Sequence, residues 1–131
     1  VIGIDTNILV RHLTQDDPMQ SRRATHLIER ELTQDSPGFI SLVTVVETVW
    51  VLRRSFRISD AAIAAILEQI IEVDNLIVQN EREVFAAMVA LRTGEASFDD
   101  ALIGALGAWA GCSTTLTFDR KASRLKDFQL A

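Results

Sequence analysis

Val1-Ile2-Gly3-Ile4-Asp5-Thr6-Asn7 is the stretch that decides the fold. Val1, Ile2 and Ile4 make a short apolar run, interrupted only by Gly3, that reads as a strand buried on both faces. The run stops at a carboxylate, and the helical spacing of Ile8, Leu9 and Leu13 begins within a few residues. In an open α/β sheet, ligands bind in the crevice beyond the carboxyl ends of the strands. Asp5 is therefore expected on the lip of such a crevice, and the rest of the chain is read for acids that reach the same place.

Outward from that start, strand and helix patterns alternate. A short helix is expected over Ile8 to Leu13, and Asp17-Pro18 marks the start of a second, with Asp17 as N-cap and Pro18 at the first helical position. Ala24, Leu27, Ile28 and Leu32 carry that helix to the turn Ser36-Pro37-Gly38. Phe39-Ile40-Ser41 is a very short second strand, and the helix after it carries Val45, Val46, Val49, Trp50 and Leu52 to about Phe56. Ser59 caps a helix whose Ile63, Ile66, Leu67, Ile70 and Ile71, with the intervening alanines, leave little polar surface; it is either deeply buried or receives a partner helix. Leu76-Ile77-Val78 is a third strand, and Asn80 with Glu83 forms a capping box for a helix ending at Gly94. Ser97 opens a helix that ends at Gly111, Ser113 to Thr117 is a fourth strand, and a short basic helix spans Arg120 to Leu125. The alternation predicts an α/β domain with a parallel sheet covered by helices.

At 131 residues the chain is expected to be a single domain over 1–131, and with nearly half its residues apolar it is not disordered. The lone Cys112 excludes an internal disulfide and a cysteine-rich zinc site, which suits a reducing cytoplasm. No signal-peptide pattern is visible, and charges break every apolar stretch before it could span a bilayer, so a soluble protein without membrane contact is expected. Thirteen basic against eighteen acidic residues give a net charge of −5. Such a balance argues weakly against a nucleic-acid binder unless several acids hold a cation, whose charge then governs the site.

Four acids stand at or just beyond points where a strand gives way to a helix: Asp5, Glu47, Asp100 and Asp119. Each has a plain structural explanation. Asp5 and Asp119 can cap helices, and Thr44-Val45-Val46-Glu47 and Ser97-Phe98-Asp99-Asp100 both fit the capping-box pattern. As a set they say more. Strand ends in a parallel sheet point the same way, and carboxylates crowded together raise one another's pKa until a counter-charge relieves them. Oxygen ligands with no histidine–cysteine set suit Mg²⁺ or Mn²⁺, and a hydrated ion of that kind favours phosphodiester hydrolysis. Thr6, Asn7 and Thr117 are then candidates for orienting carboxylates or waters, with local turn and cap bonds as the alternative.

Ile4-Asp5-Thr6-Asn7, Thr44-x-x-Glu47, Phe98-Asp99-Asp100-Ala101-Leu102-Ile103 and Thr117-Phe118-Asp119-Arg120-Lys121 together resemble the PIN domain, in the VapC-type toxins of bacterial toxin–antitoxin pairs. The resemblance covers essentially the whole chain in order and spacing. It implies a central parallel four- to five-stranded sheet flanked by helices, an α/β/α sandwich. It also implies that the metal-binding and catalytic acids are Asp5, Glu47, Asp100 and Asp119. Asp100 aligns with the family acid, and Asp99 stands where the family usually has alanine. The implied activity is a Mg²⁺- or Mn²⁺-dependent endoribonuclease acting on RNA. The implied partners are a second copy in a homodimer and a cognate antitoxin, through which alone the complex meets promoter DNA.

Arg120 and Lys121, directly after Asp119, are expected to touch substrate phosphate. Arg11, Arg53, Arg54, Arg57, Arg124 and Lys126 add to the positive charge, whereas Arg22 and Arg23 read as solvated surface. Trp50 and Trp109, at helical spacing among Val and Leu, are expected in core or interface. Gly104 and Gly107 allow close backbone approach, to the sheet or across a dimer seam; His12 and His26 read as surface or cap residues. Two other classes compete with a nuclease. A catalytically silent PIN domain would act as a binding module, and a metal-dependent phosphatase would use the same acids. A phospho-acceptor receiver is disfavoured, because Asp5 stands alone and the third strand ends in Val78-Gln79-Asn80.

Overall fold

The structure is a computed structural model that describes residues 1–131. Five strands and six α-helices form: β1 (Ile2–Gly3), α1 (Thr6–Thr14), α2 (Pro18–His26), β2 (Gly38–Ile40), α3 (Leu42–Arg54), α4 (Asp60–Glu72), β3 (Leu76–Val78), α5 (Glu81–Arg92), α6 (Phe98–Trp109), β4 (Thr115–Thr117) and β5 (Phe128–Leu130). A π-helical turn, Leu27–Glu31, prolongs α2, and a 3-10 turn, Ala122–Arg124, precedes β5. The expected α/β architecture is present: every strand pairing is parallel, with three strands in one sheet and two in another. No helix is long and apolar enough to cross a membrane.

The chain divides into two compact units, Val1–Ser59 with Gln69–Gln79, and Asp60–Glu68 with Asn80–Ala131. In the first, the sheet runs in the order β1-β2-β3, with Ile2 opposite Gly38 and Gly38 opposite Leu76. Gly38 is a glycine of necessity, because a Cβ there would lie 2.8 Å from Leu32 Cδ1 and 2.9 Å from Ile4 Cγ1. Asp17 caps α2 as the sequence predicts, its carboxylate accepting the Gln20 N–H, with Pro18 in the first turn. The helix then widens into the π turn, where the Leu32 N–H reaches the Leu27 carbonyl at 3.0 Å, and Asn75 Nδ2 donates to the Ile28 and Leu32 carbonyls. Leu9, Val10, Ile40, Val45, Val49, Leu52 and Val78 are buried in this unit.

In the second unit α5 and α6 pack together, and β4 pairs with β5. Gly104 faces the Phe128 ring and Gly107 faces Thr115 Oγ1, so both glycines of α6 serve close approach to the β4–β5 ribbon. Gly94 and Gly111, with φ of +75° and +92°, follow α5 and α6 in the left-handed region that glycine tolerates.

Several expectations give way. Val1 and Ile2 are 79% and 46% exposed, and only Ile4 of the first run is buried, so β1 is not covered on both faces. Asn80 is no conventional cap: its φ of 49° is left-handed, and its Nδ2 donates instead to Glu83 Oε1. Thr44 with Glu47 does not form the expected capping box, since Ser41 is the N-cap of α3 and its Oγ accepts the Thr44 N–H. The basic helix shrinks to the 3-10 turn, and β5 is a strand the sequence reading lacked. Trp50 and Trp109 are 57% and 66% exposed, which removes the core alternative for both; Arg54 lies over the Trp50 ring. On α4, Ile63, Ala64, Leu67 and Ile70 are buried while Ala61, Ala62, Ala65 and Gln69 are exposed, so its apolar character is one-sided in bulk and alanine faces outward.

Candidate active site

Asp5 follows β1 with an extended backbone and is the N-cap of α1, its Oδ1 accepting the Thr6 N–H at 2.7 Å. A carboxylate at that point also meets the positive end of the helix dipole. Thr6 is buried, and its hydroxyl donates to Glu47 Oε1 at 2.5 Å. Glu47 reaches this place because α3 is fixed in both start and rotation. Gln79 Oε1, just past β3, accepts the Leu42 N–H, and Ser41 accepts that of Thr44. Burial of Thr44, Val45, Thr48, Val49 and Leu52 then turns Val43, Glu47, Trp50 and Arg54 outward along one stripe.

Asp5, Thr6, Asn7, Val10, Arg11, Glu47 and Val51 consequently line one cleft of about 330 Å³. One oxygen of each carboxylate is engaged by Thr6, through its N–H for Asp5 and its O–H for Glu47. Asp5 Oδ2 and Glu47 Oε2 remain for a ligand, and the Asn7 side chain offers another oxygen. Two ordered carboxylates with oxygen donors only are the donor chemistry of a hard divalent cation.

The other predicted acids belong to the second unit. Asp99 and Asp100 lie in the first turn of α6, where the Asp100 N–H donates to the N-cap Ser97 Oγ at 3.3 Å. Asp100 is half-buried and Asp99 exposed. Asp119 follows β4: its N–H donates to Thr117 Oγ1, and its Oδ1 accepts the N–H groups of Lys121 at 2.8 Å and Ala122 at 3.3 Å. Thr117 and Asp119 thus build the turn that presents Arg120 and Lys121, both exposed. Within neither unit alone do three or more His, Cys, Asp or Glu side chains gather in a group able to hold a metal.

A cleft of about 380 Å³ adjoins the first, sharing Asn7 and Arg11 with it and continuing past Ile8, Met19, Gln20 and Arg23. Arg11 Nε donates to Gln20 Oε1 at 2.8 Å, and Nη1 pairs with Asp16 at 3.0 Å. The Thr14 hydroxyl, and after it Arg11, hold the Asp16 carboxyl below the usual range despite some desolvation. Arg23, followed by His26, does the same to Glu31. From the sequence, Arg11 stands only among the general positive charge and Arg23 reads as solvated surface. The legible signal was spacing: Arg11 lies one helical turn after Asn7, on the same face.

Residues 2–127 match the family described as PIN domain. No curated protein matches the chain.

Proposed function

The chain belongs to the PIN domain family, and from that premise we propose that it is a Mg²⁺- or Mn²⁺-dependent endoribonuclease, the toxin of a toxin–antitoxin pair. Members of this family are generally metal-dependent nucleases, so the coarse assignment is a hydrolase of nuclease type. The observation that carries the finer reading is the cleft in which Asp5 and Glu47 face one space with Thr6 bonded to both.

In this reading Asp5 and Glu47 would hold the cation, with Asp100 and Asp119 as the further acids and Asp99 beside them. When bound there, Mg²⁺ or Mn²⁺ would supply a water of lowered pKa and neutralise charge on the phosphate under attack. Thr6 fixes both carboxylates so that neither rotates away, Asn7 and Thr117 hold their surroundings, and Arg120 and Lys121 meet the substrate phosphate. A homodimer, an antitoxin that covers the site and carries the complex to promoter DNA, and a cytoplasmic location complete the proposal.

The deciding experiment is cleavage of total RNA by the purified protein, followed by sequencing of the new ends. Cleavage that EDTA stops, Mg²⁺ or Mn²⁺ restores and Asp5→Asn abolishes supports the reading. A preparation that leaves RNA intact with every divalent ion, or whose cleavage survives Asp5→Asn, refutes it. Growth arrest on expression without a partner tests the toxin role separately.

A further inference from the structure

We infer that the cleft between α1 and α2 is the track for the backbone of single-stranded RNA entering the candidate active site, with Arg11 as the clamp on the phosphate next to the one cleaved. This rests on the nuclease reading for its direction, but the track itself is built from different residues. Arg11 is the charged residue common to the cleft of Asp5 and Glu47 and to the adjoining one. The first cleft carries two carboxylates; the second is lined by Arg11 and Arg23 with no acid among its lining residues. The acids that pair with these arginines, Asp16 and Glu31, lie outside that lining.

The geometry suits a planar donor held ready. Arg11 Nε is engaged by Gln20 and Nη1 by Asp16, which sets the plane of the guanidinium and leaves Nη2 for a ligand. Ordering the side chain beforehand lowers the entropy that phosphate binding would otherwise cost. Met19, on the same cleft as the two arginines, is 80% exposed, a thioether surface on which an unstacked base can lie. Cations and apolar surface sharing one groove is how single strands are followed without reading their sequence. A base-paired strand keeps its bases stacked inward and could not use Met19 in this way.

The test is binding of a fluorescein-labelled, mixed-sequence single-stranded 12-mer RNA by the full chain, in EDTA so that no cleavage intervenes, over a series of salt concentrations. Arg11→Gln is expected to weaken binding about tenfold, in line with loss of a charge-assisted bond. The plot of log K against log salt should become shallower by about 0.7, the share of one single-strand phosphate. Arg11→Lys restores the slope, and Met19→Ala weakens binding a few-fold with the slope unchanged. Because the Arg11–Asp16 pair is solvent-exposed, neither arginine variant should lose the fold. Binding by Arg11→Gln within twofold of wild type at an unchanged slope overturns the track, as does a wild-type chain that binds no RNA. The outcome is separable from that of the nuclease: an Arg11-dependent track without cleavage sinks the nuclease alone, and cleavage without any Arg11 dependence sinks the track alone.

Discussion

Thr6 Oγ1 donates to Glu47 Oε1 across 41 positions of sequence, while the backbone N–H of the same threonine donates to Asp5 Oδ1. One buried residue therefore sets the spacing between two carboxylates that would otherwise repel. Thr6→Val keeps the shape and the N–H but removes the hydroxyl, so Glu47 loses its anchor. The expected result is a fall of roughly 10- to 100-fold in kcat/KM with a stability loss of about 1 kcal/mol, and recovery in Thr6→Ser. Cleavage rates read beside thermal melts decide it: wild-type turnover in Thr6→Val would mean that the hydroxyl positions nothing.

Asp99 and Asp100 separate on exposure. Asp100 is half-buried, with its N–H tied to Ser97, whereas Asp99 is exposed one position earlier in the same helical turn. Asp100→Asn should remove RNA cleavage with an unchanged far-UV spectrum and melting temperature, while Asp99→Asn retains most of it. The reverse pattern would transfer the role to Asp99.

What the sequence disclosed was mostly local. Asp17-Pro18 announces α2 because the cap bond spans three residues, and Ser97 announces α6 for the same reason. Failures came where a distant partner decides. Ile2 resembles a buried strand residue yet is 46% exposed, since what covers a strand's face comes from elsewhere in the chain. Phe128-Gln129-Leu130 is too short to announce β5, which exists by pairing in parallel with Thr115-Leu116-Thr117. Within the site, Asp5 and Glu47 were legible as acids at strand-to-helix junctions, but the link through Thr6 was not, since nothing near either residue encodes it. Arg11 was legible only by its turn of separation from Asn7.

Two glycines are expected to reject a methyl group and one to accept it. At Gly38 a Cβ would meet three side chains at 2.8 to 3.0 Å, and at Gly104 it would lie 2.7 Å from Phe128 Cε2 and 3.2 Å from Asp127 Cβ. Gly38→Ala and Gly104→Ala should each cost about 1–3 kcal/mol through overpacking. Gly3→Ala has nothing within 4 Å and should be neutral or slightly stabilising, because alanine restricts the unfolded chain. Urea midpoints for the three variants provide the comparison, and equal midpoints would contradict the packing assigned to Gly38 and Gly104.

Asp16 and Glu31 give a pH signature with a defined sign. Each carboxyl is held below its ordinary value, Asp16 first by Thr14 and then by Arg11, Glu31 first by Arg23 and then by His26. A carboxyl depressed in the folded state contributes stability above its unfolded pKa and loses it as pH falls through the folded one. Both sites are open to solvent, so the effect on unfolding is slight, and the carboxyl titrations themselves are the measurement. By NMR, Thr14→Val should return Asp16 toward the ordinary value of about 3.9, and Arg23→Gln should return Glu31 toward about 4.3. Titration curves that do not move would remove Thr14 and Arg23 as the causes.

Asn75 joins the π turn to the sheet. Its Nδ2 donates to the Ile28 carbonyl at 2.7 Å and the Leu32 carbonyl at 3.2 Å, and its own carbonyl accepts the Gly38 N–H at 2.9 Å. A π turn leaves carbonyls out of the regular ladder, and these two need a donor from elsewhere. Asn75→Ala withdraws that donor and should cost about 1–3 kcal/mol. Asn75→Asp is the sharper variant, because it keeps the shape while aiming a carboxylate oxygen at two carbonyl oxygens. It should destabilise more than alanine at neutral pH and recover part of the loss as the carboxyl is protonated. An aspartate variant as stable as the alanine one at pH 7 would show that the side chain does not hold the turn.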